Sequence, residues 1–245
     1  QKLGDASTLA LPAQCSAKAQ AFDRSAQPGQ QGWGVDVGNS RYFGPGQTNL
    51  TIDDMPGLKL KWAFAYPDAV RARSQPAVAG GSVFVGSQNG SVYALNAETG
   101  CLRWQFSTVA EVRTGIVVAP WGPKERAQLF FGDLVGNVYS LDAATGELLW
   151  KDRPDPHPSL TLTAAPAYHD GKLYVPLSAL EVTAAADPLY ACGTFRGGVA
   201  AYDAATGKQL WIGRTLDGES KVVGRNARGT PQIAPSGAPV WNTPA

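Results

Sequence analysis

The chain has 245 residues, a formal net charge of +1, 44% hydrophobic and 17% charged positions. That length leaves room for one large domain or two small ones around a real core, and 28 Gly with 18 Pro make it turn-rich without reaching low complexity. The near-neutral balance excludes a nucleic-acid footprint, no apolar run approaches the roughly 18 residues of a membrane helix, and the low charge fraction argues against a disordered tail protein.

In chain order, the opening residues (Gln1 to Leu9) show neither an initiator Met nor a signal-peptide pattern and read as a processed or trimmed start. Residues 1–30 read as an N-terminal extension. Cys15, Cys101 and Cys192 are too few for a disulfide scaffold and too widely spaced for a CxxC motif. One must stay unpaired within the chain, and the residues alone leave open which. Ala77-Val78-Ala79, the turn Gly80-Gly81 and Ser82 to Gly86 predict a hairpin, followed by a second turn at Gln88-Asn89-Gly90 and a strand at Ser91 to Leu95. Gly115 to Ala119, Gln128 to Gly132 and Asn137 to Leu141 repeat this rhythm, as do Ala165 to Tyr168, the turn His169-Asp170-Gly171 and Lys172 to Val175.

Three segments superpose without gaps: Ala94 to Trp104, Ser140 to Trp150 and Ala201 to Trp211, sharing small-x-[Asn/Asp]-Ala-x-Thr-Gly-x-x-x-Trp. A weaker partner, Leu58 to Trp62, precedes them. Trp62, Trp104 and Trp150 are 42 and 46 residues apart, close to one propeller blade, and the 61 residues from Trp150 to Trp211 are a blade with an insertion. The motif has a local logic. Asn96, Asp142 or Asp203 accepts backbone hydrogen bonds just beyond itself, Gly100, Gly146 and Gly207 supply positive φ, and each Trp then packs flat between sheets. The expected fold is all-β: a β-propeller of four-stranded antiparallel blades, about four of a probable eight.

Familiar catalytic patterns are missing: no HExxH, Walker A, strand-to-helix GxGxxG or GxSxG. His157 sits in a Pro-rich loop and His169 in a hairpin turn, where structural roles suffice. Asn49-Leu-Thr51 and Asn89-Gly-Ser91 match the glycosylation sequon, Asn89 reading first as a turn residue. The exceptional region is an inserted loop at 178–197, since loops on a rigid scaffold commonly carry function. Glu181 within it is, by composition alone, an exposed loop carboxylate.

The repeat resembles that of quinoprotein alcohol dehydrogenases, eight-bladed propellers that bind pyrroloquinoline quinone (PQQ). Trp33 to Tyr42 looks like their opening segment. Leu162-Thr-Ala-Ala-Pro166, Ser178 to Glu181 and Cys192 to Gly197 are most similar to the polyvinyl-alcohol dehydrogenase branch. The resemblance covers residues 31–245, which it makes a partial quinoprotein-type propeller. It implies that Thr163 hydrogen-bonds the cofactor, that Ser178 and Ala179 belong to a loop closing on a PQQ carboxylate, and that Glu181 binds Ca²⁺, a hard cation suited to oxygen ligands. It further implies that Trp241 stacks on the quinone and that Arg113 pairs with the tricarboxylated cofactor. Each residue also has a plainer reading: Thr163 as a strand residue, Trp241 as another inter-blade Trp, Arg113 as a partner for Glu111.

Departures from the family pattern accompany these matches. The cysteine pair expected before Arg113 is replaced by Ala110, Glu111 and Val112, a first-blade glutamate is replaced near Arg73 to Pro76, and Cys192-Gly193 stands where the branch tends to have two cysteines. The family's metal-binding Asn and catalytic Asp would both follow Ala245, so the expectation is an N-terminal half that does not turn over alone. The function implied is alcohol oxidation in the periplasm by hydride transfer to PQQ with Ca²⁺ as Lewis acid, electrons leaving to a cytochrome c or other acceptor. The alternative is a non-catalytic propeller serving as a protein-binding scaffold in the cell envelope.

Overall fold

The computed structural model describes residues 11–244 apart from Gln31, Val37, Pro45, Gln47 and Asn49; the trimmed-looking start and the sequon at Asn49 lie outside the described residues. Strands β1 (Ala77–Ala79), β2 (Ser82–Gly86), β3 (Ser91–Asn96) and β4 (Leu102–Ser107) form one antiparallel meander. A second comprises β5 (Val117–Val118), β6 (Gln128–Gly132), β7 (Val138–Asp142) and β8 (Leu148–Asp152). The third comprises β10 (Ala167–His169), β11 (Lys172–Ala179), β12 (Gly198–Asp203) and β13 (Gln209–Arg214), and β9 (Leu160–Thr161) pairs with the far end of β11. The chain is thus all-β, a partial propeller with three four-stranded blades. Where a fourth was expected, β14 (Lys221–Arg225) and β15 (Pro231–Ala234) form a two-stranded hairpin.

Turn chemistry sets the register. Ala79 faces Ser82 and His169 faces Lys172, which leaves two-residue loops at Gly80-Gly81 and Asp170-Gly171. All four loop residues have positive φ, as the hairpin turns matched to strand twist require. His169 is therefore the last residue of β10 rather than a turn residue.

The repeated turns do what their residues predict. The Asn96 carboxamide accepts the N–H groups of Glu98 and Thr99, Asp142 those of Ala144 and Thr145, and Asp203 that of Thr206. Each turn then receives the Trp of the preceding unit. The indole N–H of Trp62, Trp104 and Trp150 donates to Ala97 O, Ala143 O and Ala204 O at 3.0, 3.1 and 2.9 Å. The indole rings lie so close over Gly100, Gly146 and Gly207 that a Cβ would stand 2.9, 2.8 and 2.5 Å from them. Glycine is needed there for space as well as for φ. Trp211 has no such partner among the described residues and is 49% exposed, against 9% for Trp104.

The core consequently sits between blades. Phe84, Trp104, Leu129, Phe131 and Leu141 belong to the cluster joining the first two blades, and Phe130, Leu173, Val175, Phe195 and Tyr202 to the one joining the second and third. The seam between the first two blades is also tied from outside. Cys15 is disulfide-bonded to Cys101, which leaves Cys192 as an exposed free thiol. Ala13 and Cys15 exchange backbone hydrogen bonds with Leu102, Ala19 O accepts from Asn96 and Arg103, and the Phe22 ring lies 5.4 Å from Trp121 in the second blade. Trp121 in turn donates its indole N–H to Arg24 O. Residues 13–27 are therefore a strap across the first two blades. Closing a loop of 86 residues with the disulfide contributes about 4–5 kcal/mol in the chain-entropy picture.

Candidate functional site

Each blade is preceded by a lead-in with the same geometry. Arg73 stands four residues before β1, Arg113 four before β5 and Thr163 four before β10. The residue after each Arg anchors the lead-in: the buried hydroxyls of Ser74 and Thr114 accept the N–H groups of Gly86 and Gly132 at 3.1 and 3.0 Å. Arg73 and Arg113 line a cleft of ≈ 360 Å³ with Thr163, Arg41, Trp33 and Trp241.

The cleft gathers three guanidinium groups and is lined by no carboxylate. The plainer reading of Arg113, a pair with Glu111, does not hold. Glu111 is engaged by Arg71, with Nη2 at 2.6 Å and Nε at 3.3 Å from its two oxygens. Arg113 makes no hydrogen bond or ion pair among the described residues. Burial pulls its guanidinium below the ordinary range, and the nearby positive charge of Arg73 pulls in the same direction. Among the described residues the Arg41 side chain reaches only that of Asn39, at 3.4 Å. The Glu111 carboxylate acts on Arg113 in the direction opposite to burial and Arg73 without reversing their effect, and a set of cations with no carboxylate in the cleft lining is electrostatically prepared for an anion.

Ser178 and Ala179, expected in a loop, instead end strand β11, because they pair with Thr161 and Leu160 of β9. Ser178 is buried and lines neither cavity. Its hydroxyl donates to Thr161 O at 2.9 Å and lies 3.1 Å from the Thr163 hydroxyl. A hydroxyl has one proton, so with that of Ser178 committed, Thr163 donates to Ser178 and presents its lone pairs to the cleft. Ser178 thus fixes Thr163 from beneath.

Past Ala179 the inserted segment forms the short helix α1 (Glu181–Ala184). Glu181 is buried rather than exposed, at 8%. Burial alone would raise its carboxyl. Hydrogen bonds from the Thr194 hydroxyl, the Thr194 and Phe195 N–H groups and the Tyr190 hydroxyl more than reverse this, holding it below the usual glutamate range. Glu181 lines a second groove of ≈ 440 Å³ with Val182, Cys192, Phe195, Pro239 and Trp241.

Trp241 lies between the two cavities and is placed there by backbone lacing. Val240 N donates to Leu177 O at 2.9 Å, Gly197 N to Gly237 O at 2.8 Å and Gly237 N to Phe195 O at 2.7 Å. The approach is so close that a Cβ on Gly197 would lie 1.9 Å from Ala238 O. Arg113, Thr163 and Trp241 therefore meet in the cleft, while Ala179, Glu181 and Trp241 meet in the groove. Sequence reasoning did not select Arg41 and Arg73. Their signal was available for Arg73 in its equal offset with Arg113 and Thr163 from the blade that follows. Among the described residues no group of three or more His, Cys, Asp and Glu is arranged to hold a metal ion, and no helix is long and apolar enough to cross a membrane. Glu181 brings a single carboxylate to the groove, with Oε2 taking only the 3.2 Å hydrogen bond from Phe195 N.

Successive four-stranded blades with a cation-lined cleft at their lead-ins define a partial propeller. The chain belongs to the PQQ_2 family, whose model, described as outer membrane protein assembly factor BamB, matches residues 17–233. It is 40% identical over 233 residues to a polyvinylalcohol dehydrogenase of Sphingopyxis sp. (strain 113P3) and 38% identical over 233 residues to one of Pseudomonas sp.. These matches take in 94% of this chain but 35% and 36% of the relatives, so the chain spans about a third of their length. Among solved structures it is similar to the quinohemoprotein alcohol dehydrogenase from Comamonas testosteroni, with a TM-score of 0.62 at 24% identity over 82% of this chain and 29% of that one. The last likeness is one of fold.

Proposed function

We propose that this chain is part of a PQQ-dependent alcohol dehydrogenase of the periplasm, acting on alcohols of the polyvinyl-alcohol type and passing electrons to a cytochrome c or another acceptor. The observation that carries the reading is the convergence of Arg41, Arg73 and Arg113, without a carboxylate, on a cleft bordered by Trp33 and Trp241. Guanidinium forks suit carboxylates in two-point contact, and indole faces suit a flat ring. The relatives named polyvinylalcohol dehydrogenase support the substrate class, and the Cys15–Cys101 disulfide supports an oxidising compartment.

In this reading Arg113 and Arg73 neutralise the cofactor's carboxylates, Thr163 accepts a hydrogen bond from the cofactor at its hydroxyl oxygen and Trp241 is the stacking platform. Ser178 holds Thr163 in place, and Ala179 walls the space beside Glu181. Glu181 Oε2 is the oxygen donor for Ca²⁺, an ionised carboxylate being the ligand type a hard cation takes. When bound, PQQ supplies the two-electron redox chemistry and Ca²⁺ polarises its quinone oxygen. The residues of this chain bind, orient and exclude water.

The test is a titration of the chain with PQQ, with and without CaCl₂, followed by tryptophan fluorescence and quinone absorbance. Saturable binding is expected, weakened about tenfold by Arg113→Met or Arg73→Met, as loss of one charge-assisted contact implies, and weakened further by salt. No binding at high PQQ concentration overturns the reading. A second reading, a scaffold for other proteins in the cell envelope, is favoured by the family's description as an assembly factor and by Arg73, which lines the cleft near where the resemblance expects a glutamate. A chain that folds normally and ignores PQQ supports it.

A further inference from the structure

The lead-ins to the first two blades carry charge at two matching steps. Arg71 and Glu111 stand six residues before β1 and β5, and Arg73 and Arg113 stand four before them. At the first step the charges are opposite and engaged. Arg71 grips Glu111 at two points, Nη2 at 2.6 Å from Oε2 and Nε at 3.3 Å from Oε1. At the second step the charges are alike, and both guanidinium groups line the cleft.

Both ends of the Arg71–Glu111 pair are held by their surroundings. Val112 N donates to Ser87 O at 3.0 Å and Leu134 N to Glu111 O at 2.9 Å, so the main chain at Glu111 is fixed between the first two blades. Val70 N donates to Gln88 Oε1 at 2.9 Å beside Arg71. The Glu111 side chain is 6% exposed and that of Arg71 42%. A carboxylate so buried needs a cationic partner. Glu111 has a second guanidinium in range, because its charge also acts on Arg113. Which of the two it takes decides the character of the cleft. Paired with Arg71, it leaves the Arg113 donors free; paired with Arg113, it would cancel one of three cations.

We propose that Arg71 is a positioning residue for the cleft: by occupying the Glu111 carboxylate at two points, it keeps Arg113 unpaired and available to an anionic ligand. This role rests on the reading of the cleft as the site of a carboxylated ligand, and it falls to an arginine that does not line the cleft. Without Arg71, Glu111 is a tethered competitor for Arg113, and an incoming carboxylate has to displace it. A charge acting only from a distance would behave differently. The half-exposed Arg71 would then attract the ligand through solvent, and its loss would matter equally whether or not Glu111 is ionised.

A double-mutant cycle on the chain separates the two behaviours. PQQ is titrated in and followed by tryptophan fluorescence. Arg71→Met should weaken binding about tenfold, the loss of the charge-assisted contact that Glu111 then takes over. Glu111→Gln should stay within about twofold of the parent, and adding Arg71→Met to it should cost no more than about twofold again, since no carboxylate is left to compete. Equal losses in both backgrounds, or none in either, overturn the positioning role. Ligand-free spectra give a second readout. Rotation about the Nε–Cζ bond of Arg113, followed by ¹⁵N exchange detected on ¹³Cζ and assigned with Arg113→Lys, should be fast in the parent. It should be slow in Arg71→Met, where Glu111 holds the guanidinium, and fast again in the double variant. Rotation indifferent to Arg71→Met overturns the inference. If Arg71→Met does not fold, the parent spectrum and Arg71→Lys decide. Slow rotation in the parent means that Arg113 is already paired, and a tenfold loss in Arg71→Lys, which keeps the charge on Glu111, means that charge pairing is not what matters. A parent chain that ignores PQQ while Arg113 responds as described overturns the cofactor reading instead.

Discussion

Trp241 has two unlike neighbourhoods. On the cleft side, Arg41, Arg73 and Arg113 bring three positive groups together with no carboxylate in the lining. On the groove side, a single carboxylate receives four donors from the protein, Thr194 N, Thr194 Oγ1, Tyr190 Oη and Phe195 N. The fold has completed the charge of Glu181 internally and has left that of the arginines incomplete. A group whose partners are all supplied by the fold adds to stability. A group whose partner is absent is held at a cost and gains only when a ligand arrives. The two sides should therefore respond to truncation with opposite signs.

The largest effect should come from Glu181→Ala, which leaves the N–H groups of Thr194 and Phe195 facing a buried void. About 2 kcal/mol of destabilisation is expected, and so a melting temperature lower by roughly 4–8 °C. An unchanged melt would mean that water replaces the carboxylate freely, and the contrast would fail. A smaller effect should appear in acid. The Glu181 carboxyl lies below its ordinary value in the folded chain, so its contribution is present above about pH 4.5 and is lost as pH falls through the folded value. Melting curves of the parent and of Glu181→Gln should converge as pH drops from 5 to 3. Asp203 and Asp36 are held low by their own local hydrogen bonds, and their contributions cancel in the difference. The smallest effect should be Arg113→Met, which keeps the stem and removes the charge. Melting is expected to stay level or rise by about 1 °C, through relief of a repulsion worth tenths of a kcal/mol near the surface, while PQQ affinity falls. A clear drop in melting would show that Arg113 has a structural partner, and the opposition of signs would be lost.

The blades were legible because their determinants are local. A turn of Asp, Thr and Gly closes on itself, and the Trp that leaves it recurs at blade spacing. Arg113, Thr163 and Trp241 were legible only through resemblance, since nothing local marks an Arg that finds no carboxylate. Arg73 escaped because the resemblance expected a glutamate in that region, although its offset from β1 equals that of Arg113 from β5. The burial of Glu181 was not legible from composition. It depends on Thr194 and Phe195, thirteen and fourteen residues away, folding back across the insertion. Nor was the Cys15–Cys101 pair, since three cysteines admit three pairings and only the strap's path along β4 selects one.

That strap sets an order of assembly. Cys15 and Phe22 precede everything they hold, yet their partners, Cys101, Gly80 and Trp121, exist only once the first blade and the start of the second have been made. The earliest residues of the described chain are thus among the last to find their places. Until those partners have been made, Phe22 and the Cys15 thiol remain uncovered and open to the wrong partner. Oxidation before Cys101 is in place would join Cys15 to a second molecule. Maturation of this propeller is then a question of timing, in which thiol chemistry has to wait for β-sheet formation.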